Sequence, residues 1–154
     1  MEKQKVLILY SFTNYDKKSL DFVVRTFAEN KNVEITLFNA YIPLPKLDLK
    51  ESTVMEKLKG NLNYLSSKIH DQEQGLKSVK HQLVLSGFSD DQVGYIFKEK
   101  EKDMALELKD VIEEGGYSVL VLSRQAGKVS RLFVQGIHDK ILSSAKDVTI
   151  CIAT

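Results

Sequence analysis

The stretch SRQAGKVSRLFVQG, from Ser123 to Gly136, has the composition of a loop that could hold a phosphate group. It follows the apolar run VLVL and precedes a helical pattern, the arrangement with which α/β proteins bind nucleotides. Ser123 and Ala126 are small enough to let backbone N–H groups approach an anion. Arg124 and Lys128 add positive charge near a helix N-terminus, which itself favours anions. Most glycines of such a loop are missing, so the stretch is interpreted as a relic or a remodelled form.

Other residue types with chemical potential are scattered along the chain. His70, His81 and His138 have no cysteine or carboxylate at ligand spacing, which argues against a metal site. Cys151 has no local histidine and is interpreted as a small core or interface residue. The sequence contains neither a Gly-x-Ser-x-Gly nucleophile motif nor a Walker loop. We therefore predict no catalytic residues and no metal.

Length and composition restrict the class of protein. A chain of 154 residues with 43% hydrophobic and 28% charged residues predicts a single globular domain, residues 1–154. The net charge of +1, from 22 basic and 21 acidic residues, disfavours a nucleic-acid partner. A single cysteine, a Met1 start and the absence of an apolar signal region favour the cytoplasm. No apolar run is long enough for a membrane helix, so no membrane partner is expected.

Strand-like and helix-like patterns alternate from one end of the chain to the other. Continuous apolar runs of strand length are typical of parallel strands that are buried on both faces. Amphipathic helical patterns lie between them, which predicts an α/β fold with a parallel sheet and helices on both faces. The five predicted strands are Lys5–Tyr10, Val33–Ile42, Val93–Phe97, Ser118–Leu122 and Asp147–Thr154.

The charged segment from Glu51 to Ser86 carries a narrow apolar seam at helical spacing, which allows two interpretations. One is a long helix that packs its seam on the sheet, either as one helix or as two that meet near Gly75. The other is a coiled-coil arm. Gly60, Gly75 and one missed seam position favour packing on the sheet. The seam consists of Met55, Leu58, Leu62, Leu65, Ile69, Leu76, Val79 and Leu83.

Two segments together resemble the universal stress protein family. KVLILYSFTNYDKKSLDFVV is similar to that family's opening strand and helix, and GGYSVLVLSRQAGKVSRLFVQGIHDKILSSAKDVTICIAT is similar to its closing half. The resemblance covers nearly the whole chain and implies a five-stranded parallel sheet in the order 3-2-1-4-5, of the kind also found in adenine nucleotide alpha hydrolases. It also implies a homodimer, because the last strand of this family commonly pairs with its copy. In this chain the pairing segment is Val148–Ala153.

The family's ATP-binding motif is degenerate in this sequence. Members that bind ATP carry an Asp after the first strand, and a loop of Gly, two residues, Gly, nine residues, Gly, then Ser or Thr. Ser11 stands where the Asp is expected, and one alignment puts Ser123 and Ala126 on the first two glycines and Gly136 on the third. The other alignment shifts the loop by one residue. Neither restores the motif, so we expect no cofactor bound in the family manner.

The resemblance implies a non-catalytic stress-response protein of the cytoplasm that binds protein partners or transmits a signal, without family-style ATP binding. The first alternative is a sensor of ATP or AMP with a remodelled loop at 123–136. The second is flavodoxin-like FMN binding, because LYSFTNYDKKSL resembles an FMN phosphate loop that lacks its glycine. If a nucleotide binds, the candidate contacts are Ser11, Thr13, Ala40, Ser123, Arg124, Ala126, Lys128 and Gly136.

Overall fold

A single parallel sheet organises the chain. The computed structural model describes residues 2–44, 52–124, 136–137, 139–141, 143 and 146–154. The strand order is β3-β2-β1-β4-β5 and every neighbouring pair is parallel, which confirms the predicted order 3-2-1-4-5. The elements are β1 (Gln4–Leu9), α1 (Asp16–Phe27), β2 (Val33–Tyr41), α2 (Ser52–Leu85), a short 3-10 helix (Asp90–Gln92), β3 (Val93–Glu99), α3 (Met104–Gly115), β4 (Val119–Ser123) and β5 (Thr149–Ala153).

The apolar runs are buried strands, as predicted. In β1, Val6, Leu7 and Ile8 are all fully buried, because a central strand of a parallel sheet is covered on both faces. Strand ends differ from the predicted ones by one or two residues. Differences of two residues occur at the start of β5 and at the end of β3, which extends through Lys98 and Glu99 because these residues pair with the end of β2.

Helices cover both faces of the sheet. Alternate residues of β1 point to opposite faces, so Leu7 belongs to one core cluster and Ile8 to the other. The Leu7 cluster includes side chains of α3 and of Ile137 and Ile141, which have helical backbone. The Ile8 cluster includes side chains of α1 and α2. The predicted arrangement with helices on both faces is therefore confirmed.

Helix α2 is continuous over 34 residues, so this segment forms one helix without a break near Gly75. Among the α2 side chains that the structure describes, the buried ones, Leu76, Val79 and Leu83, lie in its second half. A helix of this length spans about 50 Å, whereas the longest strand, β2, spans about 30 Å. The first turns of α2 therefore extend beyond the sheet.

Gly75 has a packing role instead of a helix-breaking one. A Cβ atom at this position would lie 3.3 Å from Cε1 of Phe12, which is closer than ordinary contacts. Glycine thus lets the aromatic ring of the β1–α1 loop lie against the backbone of α2. No helix in the part of the chain that the structure describes has the length and apolar character required to cross a membrane.

Candidate functional site

The β1–α1 loop wraps around a carboxylate of its own chain. Asp16, the first residue of α1, is only 2% exposed. Its Oδ1 accepts the backbone N–H of Ser11 at 2.9 Å, and its Oδ2 accepts that of Thr13 at 2.7 Å. Phe12 between them has φ 58, a left-handed conformation that is unusual for a residue with a side chain. Loops with such a residue form concave groups of N–H donors that bind anions.

The carboxylate of Asp16 is the anion that fills this group of donors. Burial raises its pKa above the ordinary value, against the opposing effect of the N–H groups of Ser11, Thr13 and Phe12. Burial also raises the pKa of the neighbouring Tyr10, and the charge of Asp16 adds to that effect. An external phosphate at this loop, including that of FMN, would have to displace Asp16.

A cavity of about 480 Å³ opens beyond the carboxyl ends of β1 and β2, beneath the middle of α2. Its size is within the range of small-molecule sites. The walls come from the β1–α1 loop, from the end of β2 with the three residues that follow it, and from one face of α2. The lining residues are Ser11, Phe12, Asn39, Ala40, Tyr41, Ile42, Pro43, Leu44, Leu65, Lys68, Ile69 and Gln72.

The polar groups of this cavity are few. The amide of Asn39 donates from Nδ2 to the carbonyl oxygen of Tyr10 at 2.9 Å, which ties the end of β2 to the end of β1. Lys68 has an exposed side chain and forms no salt bridge with the described residues. No carboxylate lines the cavity within the described part of the chain.

A further cationic group stands at the carboxyl end of β4, the neighbour of β1. The backbone N–H of Arg124 donates to the carbonyl oxygen of Ala153 at 3.0 Å, which extends the pairing of β4 with β5. The Nε of its guanidinium is buried and has no acceptor among the described residues. Buried charged donors of this kind normally have a partner. Arg124 therefore remains a candidate contact for an anion.

A second buried carboxylate organises the β3–α3 loop in the same way as Asp16 organises the first. Glu107, in the first turn of α3, is 1% exposed. Its Oε1 accepts the backbone N–H groups of Glu101 and Lys102, both at 2.9 Å. Its Oε2 lies 2.8 Å from Nζ of Lys98. Burial by itself would raise the pKa of Glu107, but Lys98 and the two N–H groups outweigh it and lower that pKa.

We expect Glu107→Gln to lower the free energy of unfolding at neutral pH by about 1–3 kcal/mol, because an amide cannot satisfy both N–H groups and the ammonium group. The lowered pKa means that the unfolded chain takes up this proton first as the pH falls. The stabilisation by Glu107 is therefore complete above its ordinary pKa, about 4.5, and is lost as the pH falls towards the pKa of the folded state.

Urea unfolding at several pH values tests this prediction. The variant should show a flatter decline of stability below pH 4.5 than the wild type. Glu113→Gln is the matched control, because Glu113 is an exposed residue of the same helix whose ion pair with Lys109 is long, at 4.0 Å. Equal stability losses in the two variants would contradict the role assigned to Glu107.

The comparison with solved structures identifies the architecture. A universal stress protein family member from Burkholderia pseudomallei matches with TM-score 0.62 and 13% identity, over 97% of this chain and 94% of that chain. A universal stress protein from Archaeoglobus fulgidus, in complex with dAMP, matches with TM-score 0.65 and 10% identity over 100% of both chains. The chain has the universal stress protein fold.

Another universal stress protein, in complex with cAMP, matches with TM-score 0.58 and 13% identity, over 99% of this chain and 98% of that chain. No protein-family model and no curated protein matches the sequence. Low identity with full-length coverage is expected when a buried framework is retained while the residues of the site differ.

The universal stress protein fold brings only part of the predicted nucleotide contacts together. Ser11 and Ala40 both line the cavity. Thr13 lies on a different groove, between α1 and α2, and contributes its N–H to Asp16. Ser123 ends β4 opposite Ala153 of β5, and Arg124 follows it.

The remaining predicted contacts are Ala126, Lys128 and Gly136. Gly136 is exposed and has helical backbone, and it is not among the cavity residues. Ala126 and Lys128 lie outside the described residues. The degenerate loop motif therefore stays a prediction.

Sequence reasoning missed the residues that shape this edge of the sheet. Asp16 was not among the predicted contacts, and it is the first residue of α1, whose N-cap is Tyr15 without a side-chain cap. The sequence signal that could have identified Asp16 is an acidic residue directly after a polar loop, because it can accept hydrogen bonds from the N–H groups of that loop. Lys68 and Gln72 lie in a charged helical segment. Its apolar seam did not determine the register of the helix against the sheet, so these two residues could not be assigned to the cavity.

The described residues contain no group of three histidine, cysteine or acidic side chains that could hold a metal ion. His70 and His81 are exposed on α2. Cys151 is half-buried in β5, and burial raises the pKa of its thiol, which disfavours the reactive thiolate.

Proposed function

We propose that this protein is a non-catalytic, universal-stress-protein-like binding or signalling protein of the cytoplasmic stress response that does not hold ATP in the family manner. The observation that carries the proposal is the filled β1–α1 loop. Asp16 takes up the N–H groups of Ser11 and Thr13, and Ser11 stands where the family's ATP binders have an acid.

The cavity beside this loop supports the same conclusion. A nucleoside presents hydroxyl groups that a carboxylate can accept, as the acidic residue of dinucleotide-binding folds does for ribose. The described lining residues include no carboxylate. The two buried carboxylates at this edge, Asp16 and Glu107, are already committed to backbone N–H groups.

Nucleotide content and affinity test the proposal. We would denature freshly purified protein, analyse the supernatant by anion-exchange chromatography, and titrate intact protein with ATP by calorimetry. We expect no co-purified nucleotide and no measurable heat of binding. Co-purified nucleotide, or micromolar ATP binding, would overturn the proposal.

A nucleotide sensor with a remodelled loop is the second candidate, and Arg124 is the observation that favours it. Its Nε is buried without an acceptor among the described residues, at the end of the strand next to β1. Two similar structures are complexes with dAMP and cAMP. If ATP does bind, Arg124→Ala should weaken it at least tenfold, about 1.4 kcal/mol. Arg25→Ala, an exposed site near the far end of α1, should leave it unchanged.

The homodimer is proposed on the edge strand β5. It pairs with β4 on one side, and no other described strand pairs with its second side. Its sequence is apolar, and Ile152 is 38% exposed. Edge strands of this kind are normally protected or paired. Pairing of Val148–Ala153 with its copy would cover both the free backbone groups and this side chain.

A further inference from the structure

We propose that the cavity beneath α2 binds a small organic anion with an apolar body, such as an aromatic or aliphatic carboxylate or sulfonate. This inference deepens the proposed binding function and rests on it. It assigns a ligand class to the cavity that differs from a nucleotide.

The walls of the cavity select an apolar body. Phe12, Pro43, Leu65 and Ile69 contribute hydrophobic side chains. Small-molecule sites typically combine such walls with a few polar groups that orient the ligand.

The mouth of the cavity is apolar as well, which is unusual for a surface. Ile42 is 79% exposed and Leu44 is 40% exposed, and both line the cavity. Exposed apolar side chains that cluster around a concave site mark binding surfaces. A ligand that covered Ile42 would remove this apolar surface from water.

The positive charge of the cavity lining favours a ligand with an anionic group. Lys68 is the only side chain among the described lining residues that is ionised at neutral pH. It has no salt-bridge partner in the described ranges, so its ammonium group is available to a carboxylate or sulfonate. A cationic ligand would meet no counter-charge, and the hydroxyl groups of a ribose would meet no carboxylate acceptor.

A matched pair of fluorescent probes tests the proposal on the intact protein. Anilinonaphthalene sulfonate (ANS) and the uncharged N-phenylnaphthylamine share the same aromatic body and differ by the sulfonate. Lys68→Gln should weaken ANS binding roughly three- to tenfold, the range for a partly solvated charge pair, and leave the uncharged probe unchanged. The control is Lys77→Gln, nine residues away and on the opposite face of α2.

A second pair of variants tests where the probes bind, with substitutions of exposed residues that do not disturb the core. Ile42→Asp adds a negative charge at the mouth and should weaken both probes, ANS more strongly. Leu85→Asp is its control, because Leu85 is also exposed, at 74%, and lies at the end of α2 away from the cavity. Far-ultraviolet circular dichroism should show that all four variants are folded.

Four outcomes would overturn the proposal. ANS binding that Lys68→Gln and Lys77→Gln weaken equally would make the charge effect non-specific. Probe binding that Leu85→Asp abolishes and Ile42→Asp does not would place the site elsewhere. Displacement of ANS by ATP would assign the cavity to nucleotides and would overturn the proposed function too. Absence of probe binding without ATP binding would remove only the ligand class.

Discussion

Asp16→Ala is expected to lower the free energy of unfolding by about 1–3 kcal/mol, because two partly buried N–H groups lose a charged acceptor. The backbone N–H groups of Ser11 and Thr13 lose the oxygens that they contact at 2.9 and 2.7 Å. The variant should also acquire a response to small anions, because the emptied loop presents converging N–H groups at the start of a helix. Urea unfolding with and without formate measures both effects.

Formate is the appropriate probe because it is the carboxylate that the substitution removes. It should restore part of the lost stability in Asp16→Ala and have little effect on the wild type, compared with chloride at equal ionic strength. Asp21→Ala is the control, since Asp21 is an exposed residue of the same helix and its salt bridge with Lys17 is solvated. A formate response of equal size in the wild type would show that Asp16 does not fill the loop.

The same argument explains why phosphate binding is not expected at the first loop. In a nucleotide-binding α/β protein, loop N–H groups at the sheet edge are left for the ligand. Here Asp16 and Glu107 each occupy the N–H groups of the loop before their own helix. Both loops are thereby ordered without a ligand.

The framework of the fold could be predicted because its signal is local and repeated. β1 is apolar at every buried position, the same holds for β4, and in β2 the one buried polar residue is Asn39. Alternation of such strands with amphipathic helices leaves few topologies. The family resemblance then selected one strand order from those few.

The site could not be predicted in the same way, because it depends on backbone geometry and on helix register. The inward direction of the Asp16 side chain follows from the left-handed conformation of Phe12, which no propensity assigns to phenylalanine. The place of Lys68 depends on how far α2 extends past the sheet. The sequence left that undetermined, because it did not settle whether the helix breaks at Gly75, whose close contact with Phe12 is a long-range feature.

Ile152→Pro is expected to convert the proposed homodimer into a monomer. Thr149 donates its N–H to Ser118 at 2.9 Å, and Ala153 accepts from Arg124 at 3.0 Å, so these two residues of β5 direct their backbone groups towards β4. Backbone direction alternates along a strand, which leaves the N–H groups of Ile150 and Ile152 on the free edge. Proline at 152 removes one of those donors without breaking the pairing with β4.

Size-exclusion chromatography with light scattering at micromolar concentration measures the result. Ile152→Ala separates the contribution of the backbone from that of the side chain, because it shortens the side chain and keeps the N–H. It should therefore leave more dimer than proline does. Position 152 is preferable to Ile150, which packs against the core cluster, so that Ile150→Lys would disturb folding as well as association. A monomeric wild type would refute the dimer. A dimer that survives Ile152→Pro would show that the subunits associate through a surface other than the edge of β5.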